Sequence, residues 1–170
     1  MTPRRLPAAD RPATPWRNGG GLTREVAAAA AGGWRVSLAE IASDGPFSAF
    51  PGLDRILTVV AGTALELTVG EEPPVRLPAL RPYAFPGAAA TAGRLPAGPV
   101  TALNVMTRQP LHATVEILTA PAELRPAPGA TVLAVALDGQ DALLLTHPDQ
   151  ARVAGRTALI TIAAAQPLQR

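Results

Sequence analysis

The chain has no cysteine, no lysine and only two histidines, and its aromatics number two Trp, three Phe and one Tyr in 170 residues. Without cysteine there are no disulfides, no thiolate chemistry and no Cys-built zinc site. His112 and His147 stand far apart with no second histidine beside either, so a His/carboxylate metal site would need partners brought together by folding alone. Without lysine a nucleotide-cradling P-loop is excluded, and every positive charge is an arginine. That reconciles a formal charge of only +2 with a pI near 10.3. The arginines are scattered, whereas a nucleic-acid footprint clusters them on a stripe or helix, so no nucleic-acid partner is expected. No window supplies the roughly 18 apolar residues of a membrane-spanning helix. The N-terminal MTPRRLPAADRPATPW has no apolar core of a signal peptide. A soluble cytoplasmic protein is the expectation.

Proline, by contrast, is abundant. Nineteen prolines from Pro3 to Pro167 argue against a helical protein, since an interior proline costs a helix about 3 kcal/mol. Between them lie short apolar or alternating runs suited to strands: 34–42, 55–62, 63–70, 100–107, 112–119, 131–137, 141–146 and 157–163. In the first, Trp34, Val36 and Leu38 share one face and Arg35, Ser37 and Ala39 the other. The runs at 55–62 and 63–70 meet at Gly62-Thr63 and read as a hairpin. Asp138-Gly139 reads as a tight turn. Ala27 to Ala31 is too short a helix-former run to stand alone before Gly32 and reads as a loop or single turn. RPAPGA at 125–130 is the most linker-like stretch. A hydrophobic content of 48% is ample for a core, and these many short strands with regular turn signals predict an all-β sandwich or barrel.

The informative polar residues concentrate in the first third. PWRNGGGLTRE (15–25) and DGPFSAFPGLDR (44–55) set turns and aromatics beside Asn18, Arg24, Glu25, Arg35, Asp44 and Arg55, the ingredients of a small-molecule pocket. Gly19-Gly20-Gly21 precedes a strand-like segment rather than a helix, so it reads as a sharp turn or bulge and not a phosphate loop. No GxSxG elbow is present, and Ser37, Ser43 and Ser48 have no nearby histidine, which disfavours a hydrolase triad. Arg55 opens an apolar strand after a rigid turn. Two readings stand: it holds a ligand carboxylate through paired hydrogen bonds, or it pins loops by pairing with Asp44, Asp54 or Glu25. Thr23 and Glu25 share one strand face, as do Arg35 and Ser37, and such a face is either solvated or lines a polar cavity. Asn18 either satisfies local backbone or touches ligand.

These motifs, together with LNVMTR at 103–108, resemble the HutD/Ves family of cupin-like proteins. The matching positions are Trp16, Asn18 to Gly21, Thr23, Glu25, Trp34, Arg35, Ser37, Asp44 to Ser48, Phe50 to Gly52, Arg55, Phe85 to Gly87 and Asn104 to Met106. The resemblance is clear over residues 1–108 and rests on strand pattern beyond. One departure is Ala102, where the family usually has an Asp. The resemblance implies a bicupin: two jelly-roll-like (RmlC-like) β-barrel halves in one chain, approximately 1–108 and 109–170. It also implies association with histidine utilisation as a regulator or sensor, or, in the Ves branch, with cold or stress response. Metal-dependent cupins carry a His-x-His segment that is missing around 52–70, so no metal or other cofactor is expected. The expected partner is a small carboxylated metabolite, such as urocanate or a formylated glutamate. Arg55 would be the anion contact, Thr23, Glu25, Ser37, Asn18 and Asn104 the orienting groups, and Phe47, Phe50 and Met106 the apolar walls. Two other classes stay open: a metal-free isomerase or lyase with Glu25 as base and Arg55 as electrophile, and a scaffold with no ligand. Open sheet edges make a homodimer an option.

Overall fold

The computed structural model describes residues 2–165. In chain order its strands are β1 (Arg4–Leu6), β2 (Thr14–Pro15), β3 (Gly21–Ala28), β4 (Trp34–Ile41), β5 (Gly45–Phe47), β6 (Asp54–Ala61), β7 (Ala64–Val69), β8 (Val75–Pro78) and β9 (Tyr83–Pro86). There follow β10 (Thr91–Arg94), β11 (Val100–Thr107), β12 (Leu111–Leu118), β13 (Ala122–Leu124), β14 (Thr131–Ala136), β15 (Ala142–Thr146), β16 (Ala151–Val153) and β17 (Thr157–Ala164). A single 3-10 turn at Ala8–Asp10 is the sole helical element among the described residues. The all-β expectation holds, and each long run read from the sequence is a strand to within a residue or so at its ends.

The chain divides into two compact units. One comprises Arg11–Thr107; the other comprises the residues up to Asp10 together with those from Arg108 onward. In the first, a six-stranded sheet of order β2-β3-β4-β11-β6-β9 and a four-stranded sheet of order β5-β10-β7-β8 enclose an apolar core. Ile41, Leu57, Val59, Leu65, Leu67, Leu77 and Phe85 build that core. In the second, the sheet β1-β15-β14-β17-β12 and the pair β13-β16 bury Leu124, Val132, Ala134 and Leu145. All described pairings are antiparallel and each sheet is open at both ends of its strand order.

Two local expectations are corrected. The turn at Gly62-Thr63 does not make a hairpin: β6 pairs with β11 and β9, whereas β7 pairs with β10 and β8. The chain crosses there from one sheet to the facing one. Gly62 adopts φ +90° beneath the Pro99 carbonyl, which turns the two runs onto opposite layers. Ala27 and Ala28 continue β3 instead of joining the loop, after a register shift between Glu25 and Ala27 that marks a bulge at Val26. The Asp138-Gly139 turn does join paired strands, β14 and β15, in a longer loop closed by Ala136 N donating to Asp141 O at 2.9 Å.

The glycine-rich motif is a turn, not an anion loop. Gly20 N donates to Asn18 Oδ1 at 2.9 Å and Trp16 N to Gly21 O at 2.8 Å. A Cβ on Gly21 would collide with the Glu40 carbonyl and sit 3.3 Å from the Trp16 ring, so glycine lets β3 run close under both. Gly87 does the equivalent for the other motif. Phe50 N donates to Gly87 O and Gly87 N donates to Leu53 O, each at 2.7 Å, zipping the Phe50–Leu53 turn to the end of β9. A Cβ there would come within 2.5 Å of Phe50 O and 2.6 Å of Leu53 O. Gly87→Ala is therefore expected to lower stability by about 1–3 kcal/mol, checked by thermal and urea unfolding against wild type.

Candidate functional site

The first unit holds a cavity of about 430 Å3 on the six-stranded sheet, bounded by β2, β3, β4, β6, β11 and the 46–50 segment. Strand register explains how distant residues meet there. Arg55 lies opposite Met106 on one side and Phe85 on the other, Asn104 lies opposite Ser37, and Met106 lies opposite Arg35. Alternation then points Arg55, Asn104, Met106, Ser37 and Arg35 to one face.

Arg55 is the centre of the site. It is only 3% exposed, and its guanidinium lies 5.1 Å from the Phe50 ring centroid and 4.9 Å from that of Phe85. One terminal nitrogen donates to the Ser48 carbonyl at 3.2 Å and the other to Asn104 Oδ1 at 3.0 Å. Buried Nε has no hydrogen-bond partner. No salt bridge among the described residues includes Arg55. Asp44 instead accepts from Leu95 N at 2.8 Å, and Glu25 from Arg35 Nε at 2.9 Å. The loop-pinning ion pair with Asp44 or Glu25 is thus not formed. Desolvation lowers the Arg55 pKa from the ordinary arginine range to about 10, so it remains a cation at neutral pH at a cost of about 3 kcal/mol.

The surroundings offer donors and apolar walls. Asn104, 7% exposed, uses its oxygen as acceptor for Arg55, which leaves its amide N–H groups as donors. Trp16 Nε1 donates to Thr23 Oγ1 at 2.9 Å, so the Thr23 hydroxyl proton is free to point elsewhere. Trp16 and Phe47 meet edge to face at 5.7 Å. The lining includes Arg17, Arg35 and Arg55 and, among the described residues, no Asp, Glu or His. Such a site can hold an anion flat against aromatic and aliphatic walls.

The structure brings Arg55, Thr23, Ser37, Asn18, Phe47, Phe50, Asn104 and Met106 to this one cavity. Glu25 is not among the lining residues: it stays at the strand edge with its carboxylate on Arg35. Trp16, Arg35, the Ser48 carbonyl and Phe85 join the site beyond those expected. Phe85 had only its Phe-Pro-Gly context as a signal, and the β9–β6 pairing delivers it. Ala102 is fully buried in the apolar core, opposite Ala39 and Val59, and does not line the cavity. Both histidines lie outside this unit. Among the described residues no group of three or more His, Cys, Asp or Glu is placed to hold a metal ion, and no helix is long and apolar enough to cross a membrane.

The HutD family model matches residues 8–169. The chain belongs to the HutD family. It is 36% identical over 106 residues to an uncharacterised 21.2 kDa protein in the hutC 3′ region of Pseudomonas putida, covering 59% of this chain and 56% of that protein. It is 36% identical over 102 residues to protein Ves of Escherichia fergusonii, covering 57% of this chain and 53% of Ves. The chain thus spans about half the length of these curated relatives. The structure of HutD from Pseudomonas fluorescens SBW25, from a formate condition, superposes with a TM-score of 0.85 at 29% identity, over 97% of this chain and 100% of that one. For fold alone, a cupin 2 conserved barrel domain protein from Leptotrichia buccalis gives a TM-score of 0.58 at 13% identity, over 85% of this chain and 89% of that one. The HutD-family chain is therefore cupin-like in fold.

Two outcomes test the electrostatics. Asn104→Asp keeps the acceptor but supplies the missing negative charge 3.0 Å from the guanidinium. It should raise stability by about 1–3 kcal/mol and abolish any thermal response to added anions. The pH dependence of wild type follows from the lowered Arg55 pKa. Burial lowers the Arg55 pKa to about 10, below that of the unfolded chain, so above this pH the unfolded chain binds more protons. The burial penalty is present in full below about 10 and relaxes as pH rises beyond it. Anion affinity should accordingly stay flat across neutral pH and fall above 10, measured by titration calorimetry.

Proposed function

We propose that this HutD-family chain is a metal-free, cytoplasmic binding protein that uses the Arg55 cavity to hold a small carboxylated metabolite and reports it to histidine utilisation. The observation that carries the reading is a buried guanidinium with no salt-bridge partner among the described residues, lining a cavity whose described residues include three arginines and no acid. Desolvating an unpaired charge costs several kcal/mol, and a ligand carboxylate that meets the guanidinium from the cavity returns part of that cost. Bidentate pairing with a planar carboxylate suits this geometry.

In this reading Asn104 donates to a second ligand oxygen, and Thr23 and Asn18 meet the polar far end. Phe47, Phe50 and Met106 clamp the ligand body, while Ser37 fills the floor. Glu25 acts at one remove by holding Arg35. Urocanate and formylated glutamate derivatives combine a carboxylate with a flat or slender polar tail. The relative in the Pseudomonas putida hutC 3′ region and the HutD of Pseudomonas fluorescens support that pathway as the source of the ligand. Each unit, with its two facing sheets, is read as one half of a bicupin. A lyase or isomerase mechanism has less to build on, because the carboxylate expected to act as base is engaged by Arg35 off the cavity.

Thermal unfolding against urocanate, formyl- and formimino-glutamate, histidine, glutamate and unrelated acids tests the reading. A cognate acid at a hundredfold excess over its Kd should stabilise by about 2.7 kcal/mol, with no response in Arg55→Met or Asn104→Asp. A flat response across the panel in wild type would sink it.

A further inference from the structure

An edge strand is a liability unless it is short, charged, proline-bearing or covered. The other sheet edges in this protein are managed in these ways. β1, β2, β5, β8 and β9 run to four residues or fewer, and they carry two arginines, Pro15, Pro46, Pro78 and Pro86 respectively. β12 is different: eight residues, LHATVEIL, with no proline and β17 as its one partner among the described residues.

The phase of its free edge is fixed by two backbone bonds. Ala165 N donates to Pro110 O at 3.1 Å, while Leu111 N donates away from β17 to Arg108 O at 2.9 Å. Alternation along the strand turns the backbone groups of His112, Thr114 and Glu116 towards β17 and those of Ala113, Val115 and Ile117 outward. The side chains alternate as well: His112, Thr114 and Glu116 are exposed, whereas Leu111, Ala113, Val115 and Ile117 are half-buried on the other face.

We infer that β12 is a homodimerisation edge, pairing antiparallel with β12 of a second copy about a two-fold axis through Thr114. In that register Ala113 meets Val115 through their outward N–H and C=O groups, and Ile117 N–H meets the Leu111 carbonyl of the other copy, while the Leu111 N–H stays on Arg108 O; the apolar face extends across the axis. His112 falls opposite Glu116, twice by symmetry, at the non-hydrogen-bonded positions where side chains lie closest. Moving the axis one residue to Val115 sets His112 against Leu118 and Thr114 against Glu116, so only the Thr114 axis of the two sets the imidazole against the carboxylate. The complementarity of this strand with itself selects a second copy of the chain as the occupant. This inference is independent of the Arg55 cavity, which lies in the other unit.

The full-length chain, in sedimentation equilibrium over a concentration series, should show a monomer–dimer equilibrium. Because the chain has no cysteine, Thr114→Cys places one thiol opposite its own copy, at a separation a disulfide can span. It should oxidise to a covalent dimer, while Glu116→Cys, which faces residue 112 of the other copy, should not. His112→Glu should weaken the dimer by about tenfold, and the double substitution His112→Glu/Glu116→Lys should restore it. Circular dichroism and melting confirm that these exposed changes leave the fold intact. A chain that stays monomeric throughout the series overturns the proposal, including the case in which the edge accepts a strand from a different protein. So does a dimer indifferent to the charge swaps and equally cross-linked through either cysteine.

Discussion

A positive charge held out of water without a negative one is the constraint around which the first unit is organised. Arg55 sits between two aromatic rings, on a strand paired on both sides within its sheet, with two neutral oxygens as its acceptors. Each of those partners needs its own support. Phe50 and the Ser48 carbonyl are held by a turn zipped to Gly87, Phe85 by the pairing of β9 with β6, and Asn104 by its place on β11 between β4 and β6. A buried ion of this kind is weak as a stabiliser. On the proposed reading, its persistence in a well-packed core is stored affinity for an anion.

Other charges in the unit are treated differently. Arg24 pairs with Glu40 and Arg35 with Glu25, all on exposed or half-exposed side chains, where such pairs contribute little to stability. The contrast separates these surface arginines from Arg55, which is buried and has no salt-bridge partner among the described residues. It also accounts for the position of Glu25: beyond the cavity lining, next to the bulge at Val26, its carboxylate serves Arg35.

Much of this was legible in the sequence, and for a physical reason. Long strands announce themselves by alternation or by continuous apolar runs, and the residues with chemistry to offer were crowded into two turn-rich motifs. What failed was pairing. Two apolar runs around Gly62 look like a hairpin because local sequence encodes a turn but not the partner of each flank; here the flanks join different sheets. The short strands β5, β8 and β9 were invisible, since a few residues containing proline carry no periodicity. Phe85 stands out in the sequence only through its Phe-Pro-Gly motif, and cross-strand register reveals it as the second ring over Arg55. Glu25 shares a strand face with Thr23 as parity requires, but parity cannot say where a cavity ends.

The groups around the cavity come from two kinds of backbone. Arg55, Asn104, Ser37 and Thr23 stand on the strands of the six-stranded sheet, whereas Phe47, Ser48 and Phe50 arrive on the segment that follows Asp44. On the proposed reading, the sign of the ligand's charge would be written into the core, where any change disturbs packing. Its length and girth would be bounded in part by the exposed side chains of Pro46 and Ser48, which make none of the contacts to Arg55. Divergence among proteins of this architecture would then proceed by exchanging those side chains, trading one acid for another while the demand for an acid stays fixed.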